Sequence, residues 1–213
     1  MGGKIRKRKG MYRYLTFGLL TLLISTSCAV SPFEESGKAY ERGDYATAFR
    51  LMKPLAEQGD AQAQFNLGLL YNKGQGVPQD YAEAAKWYLK AAEAKQRGVL
   101  RAIAQAQCNL GILYYNGQGV PQDYAEAAKW YLKASERNNA QAQLTLGMMH
   151  ADGQGVPQDY VLAHMWLGLA ASGSRASEAN FREMAIKTRD LLAPKMTPEQ
   201  IAEAERMTRG LTH

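Results

Sequence analysis

Histidine and cysteine are the residue types best suited to bind a metal or supply a nucleophile, and this chain has few of them. The three histidines are His150, His164 and His213, and the sequence contains neither a His-Glu-x-x-His pattern nor a closely spaced cysteine pair. No Gly-x-Ser-x-Gly turn presents a serine nucleophile. The sequence therefore predicts no catalytic residue, no cofactor and no metal site.

Aspartates stand directly before several segments with helical spacing. Their carboxylates could act as acids or metal ligands, but aspartate is also a favoured N-cap at such a position. Glu83, three residues after Asp80, is placed to complete a capping box, and Glu126 follows Asp123 in the same way. We therefore interpret the recurring aspartates as helix caps: Asp44, Asp80, Asp123 and Asp159.

These caps belong to a sequence repeat with a period of 36 residues, which is the spacing between Trp130 and Trp166. A repeat of this length indicates a stack of like units. Trp87 and Trp130 are 43 residues apart, so one unit carries seven extra residues, within 95–103. Either the second helix of that unit is longer or a local loop forms. The apolar residues of this segment would dock a partner or be buried internally: Val99, Leu100 and Ile103.

Each unit reads as a helical hairpin. A first segment such as 61–71 has apolar residues at three- and four-residue spacing and predicts helix A. A Gly-Gln-Gly-Val-Pro turn follows, and helix B begins after the aspartate. Gly68 lies inside helix A, where glycine costs about 1 kcal/mol relative to alanine. We expect a neighbouring helix to approach this glycine too closely for a side chain.

The remaining reactive side chains occupy repeat positions that are apolar elsewhere. Cys108 stands where other units have Phe65 and Leu144, which predicts a buried, inert thiol; a reactive thiol is the alternative. His150 and His164 replace tyrosine and alanine of the other units, respectively. We interpret them as variation in a terminal repeat, with a paired acid–base or metal role as the alternative.

The pattern A-x-A-x-x-x-L-G-x-x-Y, then G-x-G-V-x-x-D, then A-x-x-W-Y-x-x-A-A resembles the Sel-1-like repeat, a relative of the tetratricopeptide repeat. The resemblance implies an all-α fold: an α/α solenoid of antiparallel helix hairpins forming a right-handed superhelix. We expect the array to span 28–174, with capping helices over 175–213. Its units are expected at 34–60, 61–103, 104–139 and 140–174.

Before Glu34, the first acidic residue, the chain has six basic residues and an apolar run at 15–24. This order predicts a signal peptide over 1–27, because the run is shorter than the roughly 18 residues of a membrane-spanning helix. The sequence around Cys28 resembles the lipobox of bacterial lipoproteins, which implies lipid attachment to Cys28 and a periplasmic protein anchored to the inner or outer membrane. Cleavage after Ala29 would instead release a soluble, secreted protein.

The predicted signal peptide also accounts for the basic character of the chain. Its six basic residues equal the whole formal net charge of +6, so the remainder is close to neutral. Charges of both signs alternate along the helices, and no long basic stripe is present to displace counterions from a nucleic acid. We expect no nucleic-acid partner.

The resemblance implies a concave surface, lined mainly by helix A, that binds a protein or peptide. We therefore predict a non-enzymatic adaptor of the bacterial cell envelope. A secreted effector that binds a host protein is the alternative, and a cell-wall or β-lactam hydrolase is a further one. Polar residues that vary between units are the predicted contacts, with solvated helix faces as the alternative: Asn66, Lys73, Asn109, Tyr115, Asn116, Thr145 and Asp152.

Overall fold

Each sequence repeat folds into a pair of antiparallel helices, so the predicted all-α solenoid is confirmed for the part of the chain that the structure describes. This computed structural model describes residues 31–96, 98–173 and 179–211. The predicted signal peptide and Cys28 lie outside these ranges. Ten α-helices occur within them: α1 (Pro32–Glu41), α2 (Tyr45–Glu57), α3 (Ala61–Lys73), α4 (Tyr81–Ala92), α5 (Leu100–Asn116), α6 (Tyr124–Ser135), α7 (Ala140–Asp152), α8 (Tyr160–Ser172), α9 (Ala179–Leu192) and α10 (Pro198–Leu211).

Helix A of the four units corresponds to α1, α3, α5 and α7, and helix B to α2, α4, α6 and α8. The predicted aspartate caps are confirmed at the start of every helix B. The Asp80 carboxylate, for example, accepts hydrogen bonds of 2.9 Å from the backbone N–H groups of Ala82 and Glu83. The other three helices B begin at Asp44, Asp123 and Asp159, each with the same kind of bond.

The predicted capping boxes of helix B form only in part, because the aspartate makes its bond and the glutamate does not. The Glu83 carboxylate does not reach back to the helix start but pairs with Lys86 one turn further on, at 2.5 Å. Glu126 pairs in the same way with Lys129, at 2.8 Å. The acid is close to a lysine on the exposed helix surface, and this ion pair uses the carboxylate that the box would need.

Glycine inside helix A allows its partner helix to approach, as predicted. A Cβ on Gly68 would lie 2.7 Å from the ring of Tyr88 on the paired helix, and Tyr88 is fully buried. The same relationship recurs in the next two units, at Gly111 and Gly147. Glycine therefore sets the distance between the two helices of the second, third and fourth hairpins.

The turn between helices A and B also joins neighbouring units. Gly76 has φ +74°, and a Cβ there would lie 2.3 Å from the carbonyl oxygen of Tyr45, the first residue of helix B in the preceding unit. Gly119 and Gly155 pack against the first helix B residues of their preceding units in the same way. Each turn thus closes its own hairpin and packs on the unit before it.

The core runs continuously between units. Trp87 packs with Met52 and Ala56 of the first unit, while Trp130 belongs to the next cluster along the array, which includes Tyr88. This arrangement confirms that these two tryptophans fill the core. Buried glutamines strengthen the junctions, because the Gln107 side-chain amide donates a 3.2 Å hydrogen bond to the carbonyl oxygen of Ala92 in the preceding helix B.

The seven extra residues do not lengthen helix B, contrary to one expectation. Helix α4 has 12 residues, as does α6, whereas α5 has 17 against 13 in α3 and α7. The insertion therefore forms a short connection and one added turn at the start of α5, comprising 100–103. Ile103 is buried and Val99 packs against the core, but Leu100 remains 62% exposed.

Two further helices follow the array. Helix α9 packs against α7 and α8, and α10 packs against α8. A capping box precedes α10, since the Thr197 backbone N–H donates to Gln200 Oε1 at 2.9 Å and the Gln200 N–H donates to Thr197 Oγ1 at 3.3 Å. No helix in the described ranges combines the length and the apolar character needed to cross a membrane.

Candidate functional site

One stripe of helix A is left uncovered by the packing of the array. In α3, residues 62, 66, 69 and 73 follow the i, i+4, i+7, i+11 spacing of a single helix face, and all four side chains are partly or fully exposed. The equivalent residues of α5 and α7 are also accessible. We call these twelve residues the groove face: Gln62, Asn66, Leu69, Lys73, Gln105, Asn109, Ile112, Asn116, Gln141, Thr145, Met148 and Asp152.

The composition of the groove face repeats from unit to unit. A glutamine comes first, then asparagine or threonine, then a large apolar residue, and last a residue that differs in charge. The apolar position holds Leu69, Ile112 and Met148, and Met148 is 41% exposed. A face that alternates side-chain amides with apolar residues can hydrogen-bond a polypeptide backbone and bury its side chains.

Six of the seven predicted contact residues lie on this face. They occupy its second and fourth positions in each helix, as the sequence comparison of the units predicted. Their hydrogen bonds are local: the Gln62 amide donates to Asn66 Oδ1 at 3.2 Å, and Thr145 Oγ1 donates to a carbonyl of its own helix. Whether they bind a partner stays a prediction.

Tyr115, the seventh predicted contact, links two units. Its hydroxyl donates a 2.6 Å hydrogen bond to Gln154 Oε1 in the turn of the following unit, and its ring contacts Tyr124 edge-on, with centroids 5.0 Å apart. Tyr40 makes the corresponding hydrogen bond to Gln75, at 3.1 Å. The geometry gives Tyr115 a structural contact that the sequence did not predict.

Two adjacent pockets open along the groove. The first, of about 230 Å³, lies between α1, α2 and α3 and is lined mostly by apolar side chains, including Tyr40 and Met52. The second, of about 340 Å³, is formed by α3, α5, α7 and α9, and its lining includes Phe65, Arg101 and Phe181. Leu69 lines both, so the pockets lie on either side of one side chain. We call them the apolar pocket and the central pocket.

Several groove residues are not apparent from the variation between units. The glutamines and the apolar residues of the groove face are similar in type in every unit, so they do not stand out among the positions that vary. The helical spacing from Asn66 back to Gln62 and on to Leu69 would have found them. Arg101 was missed because nothing in the sequence showed that the insertion extends helix A.

Among the described residues, Cys108 is the one thiol beside the groove face. Cys108 also lines the central pocket, but it is 1% exposed, and burial raises the pKa of its thiol to about 12. The predicted buried, inert role of Cys108 therefore agrees with its surroundings.

The two histidines in the described ranges face different parts of the molecule. His150 Nδ1 lies 3.4 Å from the carbonyl oxygen of Pro157 in the hairpin turn. His164 is buried in α8, near charged groups of α9 and α10, and its Nδ1 has no hydrogen-bond partner among the described residues. Across the described ranges, no group of three or more His, Cys, Asp or Glu residues could hold a metal ion.

Comparison with known proteins identifies the same family that the repeat pattern resembles. The family model of the Sel1 repeat matches residues 34–60, 61–95, 104–139 and 140–174. The crystal structure of a Sel1 repeat protein from Oxalobacter formigenes is similar, with 30% sequence identity and a TM-score of 0.61 over 79% of this chain and 72% of that one. The residues matched by the family model include all twelve of the groove face, whereas 100–103 at the start of α5 lie outside the match.

A second solved structure is c5321, described as a protective antigen present in uropathogenic Escherichia coli strains and displaying an SLR fold. It is 33% identical to this chain, with a TM-score of 0.65. The match covers 84% of this chain but 37% of c5321, so this chain spans well under half of the length of that protein.

Proposed function

Because the chain belongs to the Sel1 repeat family, we propose that it is a non-enzymatic adaptor of the bacterial cell envelope that binds a partner protein along its groove face. Proteins built from Sel1 repeats generally mediate protein–protein interactions. The partner and the envelope location are the parts of the proposal that go beyond this general role.

The groove face carries the proposal. Three successive helices present the same order of amide and apolar side chains, and two pockets open beside Leu69. Amides can pair with the backbone of a bound segment whatever its sequence, while the pockets select its side chains. A protein segment therefore fits this surface better than a small molecule, for which a more enclosed site is typical.

Anchoring by lipid on Cys28 is the second part of the proposal. It is supported by the basic residues and apolar run that precede Cys28 and by the lipobox-like order of small residues before it. A tethered adaptor would meet partners of the same compartment, which raises their effective concentration. The secreted alternative differs only in where the protein is found.

A photo-crosslinking experiment tests the groove. We would place a photoreactive amino acid at Leu69, Ile112 or Met148 in the full chain and irradiate cells of the source bacterium. The matched controls carry the same amino acid at Ala82 or Ala125, which are exposed equivalents on helix B. We expect one discrete crosslinked species from the groove positions and none from the controls. Equal crosslinking from both sets would contradict the groove.

Alanine substitutions give a second test of the same surface. Replacing Asn66 and Thr145 together should weaken capture of the crosslinked partner and leave the melting temperature unchanged, because the hydrogen bonds of these two side chains lie within their own helices. Unchanged capture would remove these residues from the site.

Fractionation of cells that express the Cys28→Ala variant tests the anchor. We expect the wild-type protein in the membrane fraction and the variant in the soluble periplasm. Release of both forms into the medium, with partner capture retained, would favour the secreted effector. Membrane association of both would show that another segment holds the protein.

A further inference from the structure

We propose that the turn added to α5 determines which segment the groove accepts: an extended segment with an Asp or Glu side chain next to a large apolar residue, its carboxylate bound by Arg101. This inference rests on the proposed function and adds the chemistry of the partner. It follows from the position of Arg101, from the charges of the two pockets and from the length of α5.

Among the described residues that line the central pocket, Arg101 is the only charged one. The side chain is exposed, and among the described residues it makes no ion pair and no hydrogen bond. A guanidinium group binds a carboxylate through two parallel hydrogen bonds, and apolar surroundings strengthen such a pair. Phe65 and Phe181 supply apolar walls beside it. The pocket therefore fits a carboxylate together with an apolar side chain.

The apolar pocket gives the bound segment a direction. Its lining includes Met52 and Leu70, and Glu41 is the only charged residue in that lining within the described ranges. A second carboxylate would be repelled there, whereas an apolar side chain fits. Because Leu69 lies between the two pockets, a segment running along the groove would place its apolar residue near Met52 or Leu69 and its acidic residue near Arg101.

The insertion places this cation in one unit only. Helices α3 and α7 begin at Ala61 and Ala140, the equivalents of Ala104, so neither has a residue at the position of Arg101. Ala102 and Ile103 are buried and hold the added turn against the core. Arg101 is the one cation among the described residues that line the two pockets, so it would select one register of the bound segment.

On its other side, Arg101 makes no ion pair within the described part of the array. A neighbouring pocket is lined by Arg101, Glu136 and Arg137. Glu136 is exposed and forms no ion pair with Arg101, while Arg137 donates a 3.0 Å hydrogen bond to the carbonyl oxygen of Lys133. A second cation near Glu136 reduces its attraction for Arg101, which leaves Arg101 available to a ligand.

Selection from a library of displayed random heptapeptides tests the inference, with the purified full chain as bait. We would compare the wild type with Arg101→Gln and with the control Lys53→Gln, which removes an exposed cation of α2 that lies outside the groove face and lines neither pocket. Circular dichroism would verify that all three proteins are folded. We expect Asp or Glu beside a large apolar residue in peptides selected by the wild type and by Lys53→Gln, and no acidic preference with Arg101→Gln.

Affinities of one selected peptide make the test quantitative. Changing its acidic residue to the matching amide should weaken binding to the wild type on the order of tenfold, and binding to Arg101→Gln less than about twofold. Selected peptides without an acidic preference, or a preference that survives in Arg101→Gln, would overturn this inference and leave the groove function standing. Failure to select any peptide would contradict the proposed function as well.

Discussion

The ring of Tyr131 lies so close to Gly111 that a Cβ built on this glycine would be 2.7 Å from Cε1 of the tyrosine. The two residues belong to paired helices, α5 and α6, and Tyr131 is 2% exposed, so its ring has no space to move away. This contact explains why a residue with poor helix propensity stands in the middle of helix A.

Gly111→Ala should destabilise the protein by about 1–3 kcal/mol, because the added methyl group overpacks the hairpin. The matched control is Gly37→Ala in α1, where a Cβ would meet nothing within 4 Å. Alanine should stabilise the protein there by up to about 1 kcal/mol. Urea unfolding followed by circular dichroism measures both, and effects of the same sign would contradict the packing argument.

Asp80→Ala should lower stability by about 1 kcal/mol, since the carboxylate satisfies two backbone N–H groups at the start of α4. Glu83→Ala should have a much smaller effect, because Glu83 pairs with an exposed lysine and does not contribute to the cap. Thermal melts of the two variants compare them directly. Equal losses of stability in the two variants would indicate that Glu83 does contribute to a capping box.

The acid stability of the protein should depend on His164. Burial lowers the pKa of His164 and nearby Arg189 adds to the effect, while Glu205 and Asp190 oppose it. The unfolded chain therefore binds the proton more readily than the folded one. Neutral His164 therefore contributes fully to the free energy of unfolding above about pH 6.5, the ordinary pKa of histidine. As the pH falls from there toward the lower pKa of the folded state, the free energy of unfolding decreases by at most about 1.4 kcal/mol per pH unit.

His164→Ala tests this pH dependence with the residue that the second and third units have at this position. The variant should lose less stability than the wild type between pH 7 and pH 5. His150→Gln is the control and should retain the wild-type slope. The measurement is urea unfolding at a series of pH values, and parallel slopes for His164→Ala and wild type would exclude His164 as the cause.

Cys108 should resist thiol reagents in the native protein. The thiol is buried, and its pKa of about 12 leaves almost no thiolate near neutral pH. In a Cys28→Ala background, where Cys108 is the single thiol, a chromogenic disulfide should react only after urea is added. Rapid reaction without denaturant would show that the central pocket opens.

Much of this architecture could be predicted from the sequence because the repeat fixes it locally. The aspartate caps, the glycine of helix A and the Gly-Gln-Gly turn act within one hairpin, and each recurs in several copies. The site was harder to predict, since exposure depends on contacts between units. Tyr115 looked available in the sequence, yet its hydroxyl bonds to Gln154, 39 residues away.

The structure of the seven-residue insertion was the hardest feature to predict from local sequence. Seven extra residues between two helices can extend either helix or form a loop, and helix spacing alone does not distinguish these results. The outcome depends on Ile103 and Ala102, which bury themselves against the next helix pair once the array has formed. Arg101 follows from that packing and not from a motif.

The two kinds of connection in the array tolerate length changes differently. A turn such as 74–80 must close its own hairpin and also fit, through Gly76, against the backbone of Tyr45 in the preceding unit. An added residue there would disturb both contacts. The link from helix B to the next helix A has no such double constraint, and it is where the extra residues occur. New recognition elements can therefore be gained at these links during evolution while the spacing of the stack is preserved.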